Sequence, residues 1–206
     1  MDDKRKEIFI ILLAAIVLGG AASFPNGKPF YIAIIAFILI LAANIIIKKV
    51  VAYTLESDIT TKPWAIYQFG LRKDAHFKEP VPVIWLPILF TLLTSGVIWW
   101  LAVLQFEVKA RPERVSKRHG LYRFTEMTEW HVGLIAFWGV VTNLAIGIIS
   151  YILGFEYFAQ LNIFYAAWCL VPISNLDGTK ILFANKALWI TTAIVTVLLT
   201  GIAFSI

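Results

Sequence analysis

FYIAIIAFILILAANIIIKK, residues 30–49, runs for eighteen residues without a charge before it meets Lys48 and Lys49. Wound as an α-helix, eighteen residues rise about 27 Å, close to the ~30 Å hydrocarbon thickness of a bilayer. The stretch therefore reads as a membrane span from Phe30 to Ile47, with the two lysines as a basic stop. Four further apolar runs share its character, at about 8–24, 130–153, 158–173 and 188–206. Between the first run and the second, Phe24-Pro25-Asn26-Gly27-Lys28-Pro29 supplies turn chemistry that a helix cannot continue through, so a tight hairpin is expected.

The whole composition agrees with this reading. Of the 206 residues, 60% are apolar and only 15% are charged, and the mean hydropathy is +0.79, far above the soluble norm of roughly 45–50% apolar. The basic start and apolar middle of the N-terminus have the form of a signal sequence, and Ala21-Ala22-Ser23 has the small residues of a cleavage site. An uncleaved signal anchor is preferred, because the next span follows after only a short turn. Cys169 is the single cysteine, which rules out an internal disulfide framework or a cysteine-built zinc site. A net charge of +5 is accounted for by the positive-inside rule and calls for no nucleic-acid partner.

Residues 50–80 change to a polar-aromatic mixture in which VVAYTLESDI and WAIYQFGL alternate well enough to read as two short strands at the interface. The segment 82–106 is apolar again but carries Pro82 and Pro87 early and Ser95-Gly96 in its middle. A basic loop follows at 109–125. Counting Lys and Arg orients the chain: if 82–106 dips in and returns to the same side, 17 of the 18 fall on the cytoplasmic face and only Lys28 lies outside. Full crossing would strand the six basic residues of the next loop. The expected fold is a single domain over 1–206, an all-α polytopic membrane protein of five or six transmembrane or re-entrant segments with a small interfacial β element. It sits in the cell membrane with its N-terminus and basic loops cytoplasmic.

Asp177 is the most informative position for function. It lies in CLVPISNLDGTKILF, with Pro172 upstream to break a helix and Gly178 downstream to let the backbone turn. An ionisable group beside an apolar segment is costly unless it is paired or bound to an ion, although an interfacial helix cap is the plainer explanation. The segment from Ile163 to Phe183 resembles the Asn-to-LDG segment of the site-2 protease family of intramembrane zinc metalloproteases, with Asn175-Leu176-Asp177-Gly178 standing where the family's metal-binding Asp lies. Upstream, Gly139-Val140-Val141-Thr142-Asn143-Leu144 resembles the family's small-residue and Asn motif, with Val141 in place of Pro.

The resemblance also implies where the family's HExxH should fall. Asn44-Ile45-Ile46-Ile47-Lys48-Lys49-Val50-Val51-Ala52 occupies that place, and the strand-like segment follows it as the family's short strands do. Asn44 and Lys48 stand for the two His, and Ile45 for the Glu. Asn is a poor zinc ligand, a protonated Lys cannot ligate, and Ile cannot move a proton. By resemblance the chain is a degenerate member of the family, a pseudoprotease expected to hold no metal. Asn44 and Lys48 are one helical turn apart. A Lys48–Asp177 ion pair, with Asn44 donating a hydrogen bond, would supply the positive charge that zinc gives elsewhere; alternatively Lys48 snorkels to the interface beside Lys49.

A second polar cluster lies in RHGLYRFTEMTEWHVGL, with Glu126, Glu129, His131 and nearby His119. These residues could form a displaced metal site. The plainer reading places the carboxylates in a first helical turn, where the helix dipole favours them, with Thr125 or Thr128 as cap and Trp130 in the interfacial belt. Three functions compete. The preferred one is a non-proteolytic site-2 protease relative that binds transmembrane segments or a membrane partner. Against it stand an active zinc enzyme with a rearranged site, using His131 or His119 with Asp177 and Glu126 or Glu129 as base, and an accessory subunit of a membrane complex. A small transporter fits less well, since intramembrane polar groups are few and no inverted repeat is visible.

Overall fold

A computed structural model describes residues 3–24, 29–68, 76–111 and 127–205. Its frame is helical. Helices α1 (Asp3–Ser23) and α2 (Phe30–Thr54) pack against each other, and the tight turn expected between them, at 25–28, lies outside the described residues. The small residues Ala14, Ala15 and Ala22 on α1, and Ala33 and Ala36 on α2, are buried with Leu18, Phe37 and Ile40. Small side chains let two apolar helices approach closely where lipid gives no hydrophobic drive.

After α2 the chain makes strands β1 (Ser57–Pro63), β2 (Ala65–Gln68) and β3 (His76–Pro82), a short helix α3 (Leu86–Leu93) and strand β4 (Leu104–Ala110). The later helices are α4 (Glu129–Ile152), α5 (Glu156–Leu170), α6 (Asp177–Ala184) and α7 (Lys186–Ala203). Four of the described helices, α1, α2, α4 and α7, are long and apolar enough to cross a membrane. The short span expected at 158–173 is the fifteen-residue α5, which stops before Pro172. Helix α4 is central, packing against α2, α5 and α6.

One expectation needs correction. Val50–Thr54 is not strand: α2 continues through it to Thr54, and the Lys48-Lys49 pair does not stop the helix. Lys48 is buried and paired inside the protein, so the helix need not end to carry it to water, and Ala52 packs into the core while its carbonyl accepts from Ser57 Oγ at 3.0 Å. The segment 82–106, expected to break rather than cross, is a short helix followed by the start of a strand. At eight residues α3 rises about 12 Å, under half the hydrocarbon thickness. Ser95 and Gly96, both at positive φ, then turn the chain back.

The returning chain is satisfied by pairing. Strand β4 runs antiparallel to β1 from Ser57 opposite Ala110 to Pro63 opposite Leu104, and β2 pairs with β3 in a second two-stranded sheet. Between the sheets, Trp64 N donates to the Val103 carbonyl at 2.8 Å and Val83 N to the Trp64 carbonyl at 3.0 Å. This interlocking gives partners to backbone that lipid could not supply. At the outer end of the β1–β4 ladder, Arg111 donates to Asp58 Oδ1 through Nε at 3.0 Å and Nη2 at 2.6 Å, which holds the Asp58 carboxyl below its ordinary range.

A small second core fixes the loops. Trp100 stacks on Trp64 at 5.5 Å between ring centroids and lies 4.4 Å from Trp168 of α5, with Val83, Ala102 and Leu176 around it. Leu176 immediately precedes Asp177, so this aromatic core ties the loop after α5 to the returning chain. Truncation of Trp100 to Ala is expected to destabilise the fold by about 3–5 kcal/mol, whereas Leu93→Ala, at a side chain 74% exposed, should stay within about 0.5 kcal/mol. Denaturant unfolding in detergent micelles, followed by far-ultraviolet circular dichroism, measures both.

Candidate functional site

The site is built on one face of α2. Asn44 and Lys48, four residues apart, both point at α4, where Gly139 leaves them room. A Cβ at 139 would overlap Lys48 Cε and would lie 3.1 Å from Asn44 Nδ2. Through this notch Asn44 Nδ2 donates to the Gly139 carbonyl at 3.0 Å, and Lys48 passes on to place Nζ 2.5 Å from Asp177 Oδ2. The two charged residues are 6% and 3% exposed. Lys49, by contrast, turns outward and pairs with Glu7 at 2.8 Å.

Asp177 reaches this place because the chain breaks and restarts there. Helix α5 ends at Leu170, Pro172 follows, Ser174 takes a left-handed φ of 50°, and Asp177 opens α6. Gly178 is needed for contact rather than for a turn, since any side chain there would drive into the Leu170 carbonyl. A carboxylate in the first helical turn is stabilised by the helix dipole. Its Oδ1 has no hydrogen-bond partner among the described residues.

A second cation completes the cluster. Lys180, three residues after Asp177 on α6, donates to the Phe106 carbonyl at 2.6 Å and lies 3.5 Å from the Phe106 ring centroid. Lys48 Nζ is 4.9 Å from the same ring, so Phe106 sits between two ammonium groups. Both contacts are of the cation–π type, which strengthens as water is removed.

Of the other positions singled out in the sequence, Ile45 is a core residue, 8% exposed. Asn143, one turn beyond Gly139, is fully buried with neither amide atom hydrogen-bonded among the described residues. Asn175 is exposed beside Lys180 on an open cavity. Thr128 caps α4 and accepts from the His131 backbone, and its hydroxyl lies 2.5 Å from His131 Nδ1, while Glu129 is exposed. His119 and Glu126 lie outside the described residues. The sequence reading missed two participants, Lys180 and Phe106. The three-residue spacing from Asp177 to Lys180 was a usable signal for the first; no local signal marks the second.

The arrangement is poor in chemistry and rich in compensation. Zinc takes three or four ligands from His, Cys, Asp and Glu. Here Asn44 is committed to a backbone carbonyl, Lys48 is a cation, and Asp177 is held by that cation, so the donor set does not fit the metal. No three His, Cys, Asp or Glu side chains come together among the described residues. A cavity of about 720 Å³, lined by Trp99, Tyr157, Gln160, Phe164 and Phe204 among others, contains none of the residues of this cluster. No family model, no curated protein and no solved structure matches the chain.

Removing one member of a buried ion pair strands the other charge, which typically costs 3–5 kcal/mol. Lys48→Met is therefore expected to destabilise the fold by about that amount, while Lys48→Met combined with Asp177→Leu should recover most of the loss. Unfolding of the four proteins of this cycle in micelles gives the coupling directly, and simple additivity of the single losses would show that the pair carries no such strut.

Proposed function

We propose that the chain is a proteolytically silent relative of the site-2 proteases that retains the scaffold and uses it to hold a membrane partner, either a transmembrane client segment or a subunit of a membrane complex. The observation that carries this reading is the Lys48–Asp177 ion pair, which joins the position where the family has its second His to the position of its metal-binding Asp. An ammonium group thus occupies the charge role of the metal, and Ile45, at the position of the general base, is packed in the core. On this reading no zinc cofactor is needed, and neither peptide-bond hydrolysis nor activation of water is available to the site.

The arrangement in the membrane follows from the same reasoning. Four helices cross, α5 forms a short fifth segment, and 82–106 dips in and returns, with the N-terminus and the basic loops in the cytoplasm. The contacts support a single charged end: Glu7 of α1 joins Lys49 of α2 and the Thr61 backbone of β1, and Lys180 of α6 joins Phe106 of β4. An active enzyme with a rearranged site would have to free Asp177 from Lys48 and bring it to His131, which is already engaged at Thr128.

Metal content tests the proposal. Protein purified in mild detergent is expected to carry far less than one zinc per chain, in the wild type and in Asp177→Ala alike, and to leave transmembrane peptide substrates uncut. About one zinc per chain, lost in Asp177→Ala, together with cleavage abolished by Glu129→Gln, would establish the rearranged enzyme instead.

A further inference from the structure

Beside the ion pairs at this end of the molecule, two lysines share one cavity without a carboxylate at bonding distance among the described residues. Lys48 takes Asp177, Lys62 takes Glu107 at 2.6 Å, Lys49 takes Glu7 and Arg111 takes Asp58. Among the described residues no carboxylate pairs with Lys109 or Lys180. Both line one open cavity of about 550 Å³, and the exposed Asn175 lies with them. The Lys180 ammonium carries three N–H donors, and its described bond, to the Phe106 carbonyl, uses one. Glu107 also borders the cavity, but its carboxylate is engaged by Lys62.

The setting of the cavity is as informative as its charge. Met127 and Val132 form an apolar wall at the start of α4, a membrane-length helix. Trp130, 46% exposed in the same turn, is the kind of residue that sits at headgroup level. Two unmatched ammonium groups and an amide beside an apolar wall, at the depth where headgroups lie, form a receptor for a phosphate that has an acyl chain attached. We propose that this cavity binds the phosphate of an anionic phospholipid, with Lys109 and Lys180 as its cationic contacts, Asn175 as a polar contact, and Met127 and Val132 against the first carbons of a chain. Basic pockets beside membrane helices recognise headgroups by this chemistry. The proposal does not depend on the pseudoprotease reading.

The test uses the full chain in neutral detergent. Phosphatidylglycerol added to the micelles is expected to raise Tm by several degrees, and native mass spectrometry should show it retained in preference to phosphatidylcholine. Loss of each lysine contact should weaken retention about fivefold. Lys109→Ala, at an exposed residue, tests this without risk to the fold; Lys180→Arg should retain the lipid and Lys180→Met should lose it. Lys186→Ala, also exposed but outside the cavity, should behave as wild type. Equal retention of the two lipids, or retention unchanged in Lys109→Ala, would overturn the proposal. An equal Tm rise from inorganic phosphate, with no lipid retained, would overturn the lipid as the source of the phosphate. A rise produced by an acidic peptide and by neither phosphate source would overturn phosphate altogether.

Discussion

A carboxylate taken out of water requires a counter-charge at contact distance, and the architecture around Asp177 is the means of providing one. Lys48 must reach it from a different helix, so α2 has to continue past its apolar core and α4 has to be notched at Gly139. The carboxylate must also be lifted to the right height, which the break after α5 and the close seat of Gly178 on Leu170 accomplish. Buried ion pairs contribute little net stability compared with a well-packed apolar substitute, but a half-broken pair is severely unfavourable. Such a pair therefore acts on which structure forms more than on how stable it is: arrangements of α2, α4 and α6 that separate Lys48 from Asp177 are penalised.

The second constraint is backbone satisfaction. Helices meet it internally, whereas the chain between α2 and α4 does not, and its polar groups must be paired by other protein segments if it lies at membrane depth. The β1–β4 ladder, the bonds through Trp64 and the aromatic core on Trp100 together do this, and they bring Phe106 against Lys48 and Lys180. Strand pairing and ion-pair geometry are thus linked through one residue. The carbonyl of Phe106 anchors Lys180 while its ring faces both cations.

Much of this was legible in the sequence. Long uncharged runs gave the helices because hydrocarbon thickness sets their length, and the four-residue step from Asn44 to Lys48 put both side chains on one face. The pairing of Lys48 with Asp177 was one of two readings, offered by the family resemblance against a Lys48 that snorkels to the interface, and the ion pair is the one observed. What could not be read was tertiary. Val50–Thr54 alternates as a strand would over five residues, too few to separate period 2 from period 3.6, and its helical state is settled by the packing of Ala52 and the end of α2 on β1. Asn44 was expected to join the ion pair, but a carbonyl one helix away, exposed by the absence of a side chain at Gly139, captures its amide. The partnership of β1 and β4 is set by closure of the forty residues between Pro63 and Leu104 and has no local signature.

The same geometry separates a strut from a catalyst. A metal site that does chemistry keeps one coordination position open for water or substrate, with a base beside it. An ammonium on a carboxylate offers no coordination position of that kind. The Asn44 bond to a backbone carbonyl adds rigidity. If a helix bundle of this kind recognises a transmembrane partner, its useful property is a fixed set of surfaces with their internal charges neutralised. Asn44 and Lys48, rather than apolar residues throughout, keep α2, α4 and α6 in register, because polar groups bury only where their partners stand. The side chains whose chemistry is incompatible with zinc, Asn44 and Lys48, are therefore the ones that tie α2 to α4 and α6.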